Sequence, residues 1–306
     1  MKTRNFGVIY EIAIDALDGW SRHKALRLGA SVAFYTMFSI TPLFLIALAI
    51  AGFLFGEQAA RRQLFDQLSG LVGRESGEAL QAIIASAHQP TAGWWATTIA
   101  LVTLFVGATG VFVELQDALN TIWQVQRKPG GTIRHFVKDR LLSFAMMLAI
   151  GFLLLVSLIV SAALTAVGHV MAGYISTASI VGQVLNFLLS FGIITLLFAM
   201  IFKILPDVRV SWQNTWLGAA FSALAFNVGK FVLGFYLART SVSSSYGAAG
   251  SLVIILMWVY YSSQTLFLGA EFTRAYTKRS GERVRASAGA EFITIKQAKT
   301  QSLAAH

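Results

Sequence analysis

Six long apolar stretches decide what this chain can become. They cover approximately residues 31–55, 94–112, 141–167, 184–205, 216–237 and 248–270. About 20 mostly apolar residues in a helix cross the hydrocarbon core of a bilayer. That core offers no water to an unpaired backbone group, so a spanning segment must be a helix or part of a closed barrel. Barrel strands are shorter and alternate in polarity. The expectation is an all-α, polytopic membrane protein with six transmembrane helices. Only 12% of residues are charged, where a soluble domain carries roughly 25%. Trp94, Trp95, Trp123, Trp212, Trp216, Tyr260 and Tyr261 fall near the expected helix ends, where an interfacial belt would use them.

The loops give the bundle a direction. Of the 24 Lys and Arg residues, 19 fall on one alternating set of loops and termini and four on the other, with Lys230 inside a span. Basic residues collect on the cytoplasmic side. Both termini are therefore expected in the cytoplasm, which an even number of spans also requires. The net charge of +10 then reads as a surface for anionic lipid headgroups, not as a nucleic-acid site. The localisation implied is a bacterial inner (plasma) membrane, crossed many times. The first apolar run is too long for a signal-peptide core, so it reads as a retained anchor.

Residues 1–275 read as one membrane domain and 276–306 as a basic, mobile cytoplasmic tail. Before the first span, Phe6, Ile9, Ala13, Leu17 and Trp20 share a helical face opposite Glu11, Asp15 and Asp18. This pattern predicts an amphipathic N-terminal helix lying in the inner interface. The outer loop, 56–92, has apolar sets that suit one or two short surface helices or an ordinary ordered loop.

Polar groups inside a membrane are costly, so each needs a reason. Lys230 lies in the fifth span, with Asn227 one turn before it. At a membrane centre a Lys costs roughly 2.5–3.5 kcal/mol. It either lines an internal path and holds an anionic group, or snorkels to the outer interface. The snorkelling distance is roughly 10 Å at 1.5 Å per residue, long for a Lys stem. Glu114, Asp117 and Asn120 recur every third residue at the inner end of the second span, and Glu271 sits at the inner end of the sixth. Such carboxylates either handle cations or protons at an inner mouth, or anchor the bundle through hydrogen bonds. Tyr246 and Gly247 belong to a small, hydroxyl-rich link between the fifth and sixth spans. A link of this kind suits an irregular substrate-binding backbone or a tight connection. The substrate-path candidates are thus Lys230, Asn227, Glu114, Asp117, Asn120, Glu271, Tyr246 and Gly247.

Signatures of soluble enzymes are missing. The chain has no cysteine, no phosphate-cradling Gly-Lys-Ser/Thr loop and no Gly-x-Ser-x-Gly element. Its five histidines are scattered, without metal-ligand spacing. No catalytic residue, cofactor or metal is expected, and the chain does not read as an enzyme.

Several stretches carry a family resemblance: Ala33-Phe34-Tyr35-Thr36-Met37-Phe38-Ser39-Ile40-Thr41-Pro42; residues 107–120 followed by Ile122-Trp123; Phe202-Lys203-Ile204-Leu205-Pro206-Asp207; and Tyr246-Gly247-Ala248-Ala249-Gly250-Ser251, continuing through Trp258-Val259-Tyr260-Tyr261 to Gly269-Ala270-Glu271-Phe272. Together they resemble the YihY/BrkB family of bacterial inner-membrane proteins, which once carried the label ribonuclease BN. The resemblance spans about residues 20–275. It implies a six-span helical fold and supplies no catalytic residue. The expected function is a transporter or flippase-like permease of the inner membrane for a small solute, ion or lipid-related substrate. The alternative is a non-transporting envelope structural or assembly factor that binds lipids or partner proteins. A ribonuclease is disfavoured, because the chain lacks a metallo-hydrolase ligand set.

Overall fold

The computed structural model describes residues 3–56, 110–128, 145, 178–239, 250–287 and 289–293. These residues are mostly helical. Helix α1 is Thr3–Arg22 and α2 is Ala25–Phe55. The described part of α3 is 110–123. Helix α4 is Ala178–Ile204, α5 is Trp212–Arg239 and α6 is Gly250–Arg279. Three described stretches are long and apolar enough to cross a membrane: Phe187–Ile204, Trp212–Tyr236 and Leu252–Arg279. Most of the expected second and third spans, the outer loop 56–92, Tyr246 and Gly247 lie outside the described residues.

The helices run further than the apolar stretches. Helix α2 starts six residues before residue 31, and α6 continues nine beyond residue 270. Hydropathy marks the part that suits lipid, whereas backbone hydrogen bonding carries a helix on into polar sequence. Helix α6 is the centre of the assembly: it packs against α1, α2 and α5, and α5 packs against α4. The main core joins Ala25 and Val32 of α2, Leu115, Leu119 and Ile122 of α3, Phe198 and Phe202 of α4, Ala219 and Ala223 of α5, and Phe267 and Ala270 of α6.

Small residues let α5 and α6 approach closely. A Cβ added to Gly218 would overlap the Thr273 hydroxyl, one on Gly229 the Tyr261 hydroxyl, and one on Gly269 the Ser222 hydroxyl. As Gly218, Ser222 and Gly229 ascend α5, their partners descend α6, so the contact is an antiparallel seam. The hydroxyls do not remain unpaired there. Ser222 donates to Gly218 O at 2.8 Å and Thr273 to Gly269 O at 2.7 Å. This is the close-contact, small-residue interface that suits helices surrounded by lipid.

Helix α1 presents two faces, one exposed and one buried. It buries Ile12 and Ala16 against Ala275 of α6, with Val8, Phe272 and Tyr276 around them. Leu17, expected on the membrane-facing stripe, is exposed together with Tyr10 and Ile14. The buried stripe lies roughly 90° around the helix from the one that large side chains predict, at 100° per residue. Small residues explain the difference: Ala16 and Gly19 add little to an apolar pattern, yet they are what allow close approach.

The end of the bundle near the α1–α2 corner carries a cap that an all-α reading misses. Strand β1 (Val125–Arg127) pairs antiparallel with β4 (Ala290–Phe292), and β2 (Val208–Arg209) with β3 (Arg285–Ala286). Val125 faces Phe292, and Val208 faces Ala286. Trp123, Val125, Val208 and Val210 form a second small core, packed by Val284 and Ala286. Residues 276–287 and 289–293, within what was expected to be a mobile tail, are therefore built in. The segment is polar overall, but Val284, Ala286 and Ala290 supply enough apolar surface to bind the loops. Its Glu282 carboxylate also accepts the Ser211 amide at 2.8 Å and the Ser211 hydroxyl at 2.7 Å. That contact caps the start of α5 and satisfies a backbone donor which would otherwise lack a partner.

Candidate functional site

The polar residues at the capped end do not share one cluster. Glu114, Asp117 and Asn120 step by three residues, and each step turns the helix by about 60° away from the last. Over six residues one face becomes two. Glu114 is half-buried, Asp117 exposed and Asn120 buried. Each meets a different neighbour.

Glu114 Oε1 accepts the hydroxyl of Ser31, which links α3 to α2. Asn120 forms a reciprocal pair with Asp207 in the α4–α5 connection. Its Nδ2 donates to Asp207 Oδ2 at 2.9 Å, and its Oδ1 accepts the Asp207 amide at 2.8 Å. Arg127 reaches the same carboxylate, Nε to Oδ2 at 3.3 Å, and donates from Nη2 to Gln116 Oε1 at 2.8 Å. Asp207, directly after Pro206, is thus the hub of a four-residue network. Asp117 accepts the Thr121 hydroxyl on its backbone oxygen at 2.9 Å.

Glu271 does not join these groups. Its side chain is fully buried and accepts two donors: His23 Nδ1 at Oε1, and Arg274 Nε at Oε2 at 3.0 Å. The absence of a side chain on Gly19 makes room, because a Cβ there would overlap the carboxylate. His23 follows α1, and Lys24 after it adopts a left-handed conformation, φ 54°. Gln124, which ends α3, is also left-handed at φ 54°, and its Nε2 lies 3.1 Å from His23 Nε2. One histidine therefore ties the α1–α2 corner to α6 and to the α3–β1 turn. Sequence reading passed over His23, Arg274, Gln124 and Gln116. A histidine next to a basic corner carries no local pattern that names a partner 248 residues away.

Lys230 and Asn227 lie deeper, in the stretch of α5 that is long and apolar enough to cross a membrane. Both are half-buried. The exposed stripe of α5 is Leu224, Val228, Phe231, Val232 and Phe235. Lys230 continues instead the stripe of Ala219, Ala223 and Phe226, which packs into the core, with the Phe226 ring 6.1 Å from Phe198 of α4. Asn227 Nδ2 donates to Ala223 O at 2.8 Å on its own helix. Among the described residues no carboxylate pairs with Lys230. No group of three potential metal ligands occurs among the described residues.

Comparison with known proteins supports the membrane assignment. The profile of the family described as "Virulence factor BrkB" matches residues 16–294. A UPF0761 membrane protein of Acinetobacter baylyi is 23% identical over 90% of this chain and 64% of its own length. One from Ralstonia nicotianae is 29% identical over 87% of this chain and 59% of its own. A third, from Tolumonas auensis, is 34% identical over 58% and 56%. The chain spans about three fifths of the length of these curated relatives. No solved structure matches.

Proposed function

The chain belongs to the family described as virulence factor BrkB, and from that premise we propose that it is a bacterial inner-membrane permease for an anionic substrate, a small anion or an anionic lipid headgroup. Lys230 carries the proposal. It sits on an inward stripe of a helix long and apolar enough to cross a membrane, and no described carboxylate neutralises it. A half-buried ammonium in apolar surroundings is costly. An anion passing beside it would offset that cost. Glu114 and Glu271 then belong to the cytoplasmic mouth. There their partners Ser31, His23 and Arg274 fix the helix ends between which the path opens.

One observation favours a second role. Tyr10, Ile14 and Leu17 form an exposed apolar stripe on α1, which suits attachment to the inner membrane surface or to a partner. That reading makes the protein an envelope assembly factor.

Flux measurements separate the two. Wild type, Lys230→Ala and Lys230→Arg would be reconstituted in liposomes. Chloride and phosphate efflux would be recorded, together with dithionite bleaching of NBD-labelled phosphatidylglycerol. Wild type passes at least one anionic probe. Lys230→Ala loses about tenfold or more, as expected for removing a charge-assisted contact of about 1.5–3 kcal/mol, and Lys230→Arg retains most of the flux. Wild-type vesicles that pass none of the probes, or an alanine variant with unchanged flux, sink the permease reading.

A further inference from the structure

The β2–β3 ribbon of the cap sets two arginines directly opposite each other. Arg209 pairs in register with Arg285, so both side chains leave the same face, with Cβ atoms roughly 4.5–5.5 Å apart. Val208, Val284 and Ala286 point the other way, into the small core around Trp123. The same alternation carries Arg283, two residues before Arg285, to the outer face, and all three arginines are exposed. Like charges directly across a strand pair are destabilising. Among the described residues none of the three arginines meets a carboxylate. The nearest acids are engaged elsewhere: Asp207 by Asn120 and Arg127, and Glu282 by Ser211 and Asn214.

The chain also fixes how deep this face lies. The membrane-length stretch of α4 ends at Ile204 and that of α5 begins at Trp212. Only residues 205–211 join them, so the connection stays close to the hydrocarbon boundary. Arg209 is three residues before Trp212, within about 10 Å at 3.3 Å per residue. The headgroup layer on each side of a bilayer is about 5–8 Å thick, and an arginine stem covers the remainder. Trp212 and Trp216 are exposed, with their rings 6.4 Å apart, as suits an aromatic belt at headgroup level. Lys203 donates to Val210 O and stands 5.4 Å from the Trp212 ring centroid, which ties the ribbon to this level.

We propose that Arg209 and Arg285, backed by Arg283, bind the phosphate of an anionic phospholipid headgroup. A guanidinium presents parallel N–H donors that match a phosphate bidentately, and two of them side by side can hold one phosphodiester between them. The phosphates at this depth are those of lipid. Three guanidiniums favour a headgroup without an ammonium of its own, phosphatidylglycerol over phosphatidylcholine. Arg209 leads into α5 and Arg285 belongs to the cap, so the lipid bridges the cap to the bundle. The site lies away from Lys230 and does not depend on what passes there.

The test exploits the absence of cysteine from the chain. Full-length protein carrying Gln213→Cys, an exposed position at the start of α5, is labelled with a fluorophore and placed in phosphatidylcholine nanodiscs. Quenching is recorded against the fraction of phosphatidylglycerol, or of phosphatidylcholine, that bears a nitroxide near its headgroup. The labelled phosphatidylglycerol should reach half its effect at about a tenfold lower fraction. Each basic contact at an anionic surface is worth about fivefold in affinity. Arg209→Gln with Arg285→Gln should therefore abolish the preference. Arg209→Gln alone should reduce it about fivefold, which keeps the test open should the double variant misfold. Lys24→Gln with Arg27→Gln removes equal charge from the α1–α2 corner and should leave the preference intact, as should Lys230→Ala. A parent protein without preference, or a double variant that keeps it, overturns the proposal. Equal loss in the Lys24 and Arg27 variant overturns it too, because the attraction is then diffuse. Inorganic phosphate that abolishes the preference at constant ionic strength assigns the site to free phosphate and overturns the lipid assignment.

Discussion

At the scale of single residues, burial and partnership decide what a charge does. Glu271 is buried between two donors, so its loss leaves Arg274 and His23 without their acceptor. Breaking a buried pair from one side costs about 3–5 kcal/mol. Glu271→Ala should therefore lower the thermal unfolding midpoint in detergent markedly. Asp15→Ala, at an exposed position of α1, should change stability by less than about 0.5 kcal/mol. Equal midpoints for the two variants would contradict the burial argument. Sequence reading could single out Glu271 and Asn120, because a polar group at the end of an apolar span stands out. It could not assign their partners. Asn120 meets Asp207 and Glu271 meets His23 only after the helices assemble.

At the scale of elements, the seam between α5 and α6 is the most demanding contact. Gly218→Leu would drive a side chain into Thr273. Overpacking of this kind costs about 1–3 kcal/mol. Gly234, on the same helix, has open space around it. Gly234→Ala should be neutral or stabilising by about 0.5–1 kcal/mol through helix propensity. Thermal unfolding of the two variants checks the contrast, and matching destabilisation would mean that the seam does not carry the packing. Gly218 and Ser222 are small enough to permit a close helix contact, but small residues alone do not say whether the partner helix belongs to the same chain. The seam lies within one chain. The buried face of α1 was hidden for the converse reason. Large apolar residues dominate a periodicity, whereas the contact with α6 is made by Ile12, Ala16 and Gly19.

At the scale of the whole molecule, long apolar stretches made the membrane bundle legible, and short strands left the cap illegible. Two- and three-residue strands are too brief to show alternation, and their pairing joins segments far apart in the chain. The cap yields a further prediction. Truncation after Arg279 removes Glu282, Val284 and β3–β4, which uncovers Trp123, Val125, Val208 and Val210. Limited proteolysis should then cut near residues 124–128 and 205–211 faster than in the full chain. An unchanged digestion pattern would show that the cap does not protect these loops. Orientation gives Lys230, Glu271 and the cap their roles, and the cysteine-free chain allows it to be tested directly. Single cysteines at Lys128, Ser280 and Arg239 would be labelled with a membrane-impermeant maleimide in permeabilised-outer-membrane cells, before and after lysis. The result expected is labelling of Arg239→Cys in unlysed cells, with Lys128→Cys and Ser280→Cys reacting only after lysis. Labelling of Lys128→Cys or Ser280→Cys before lysis, with Arg239→Cys protected, would contradict the cytoplasmic placement of the capped end.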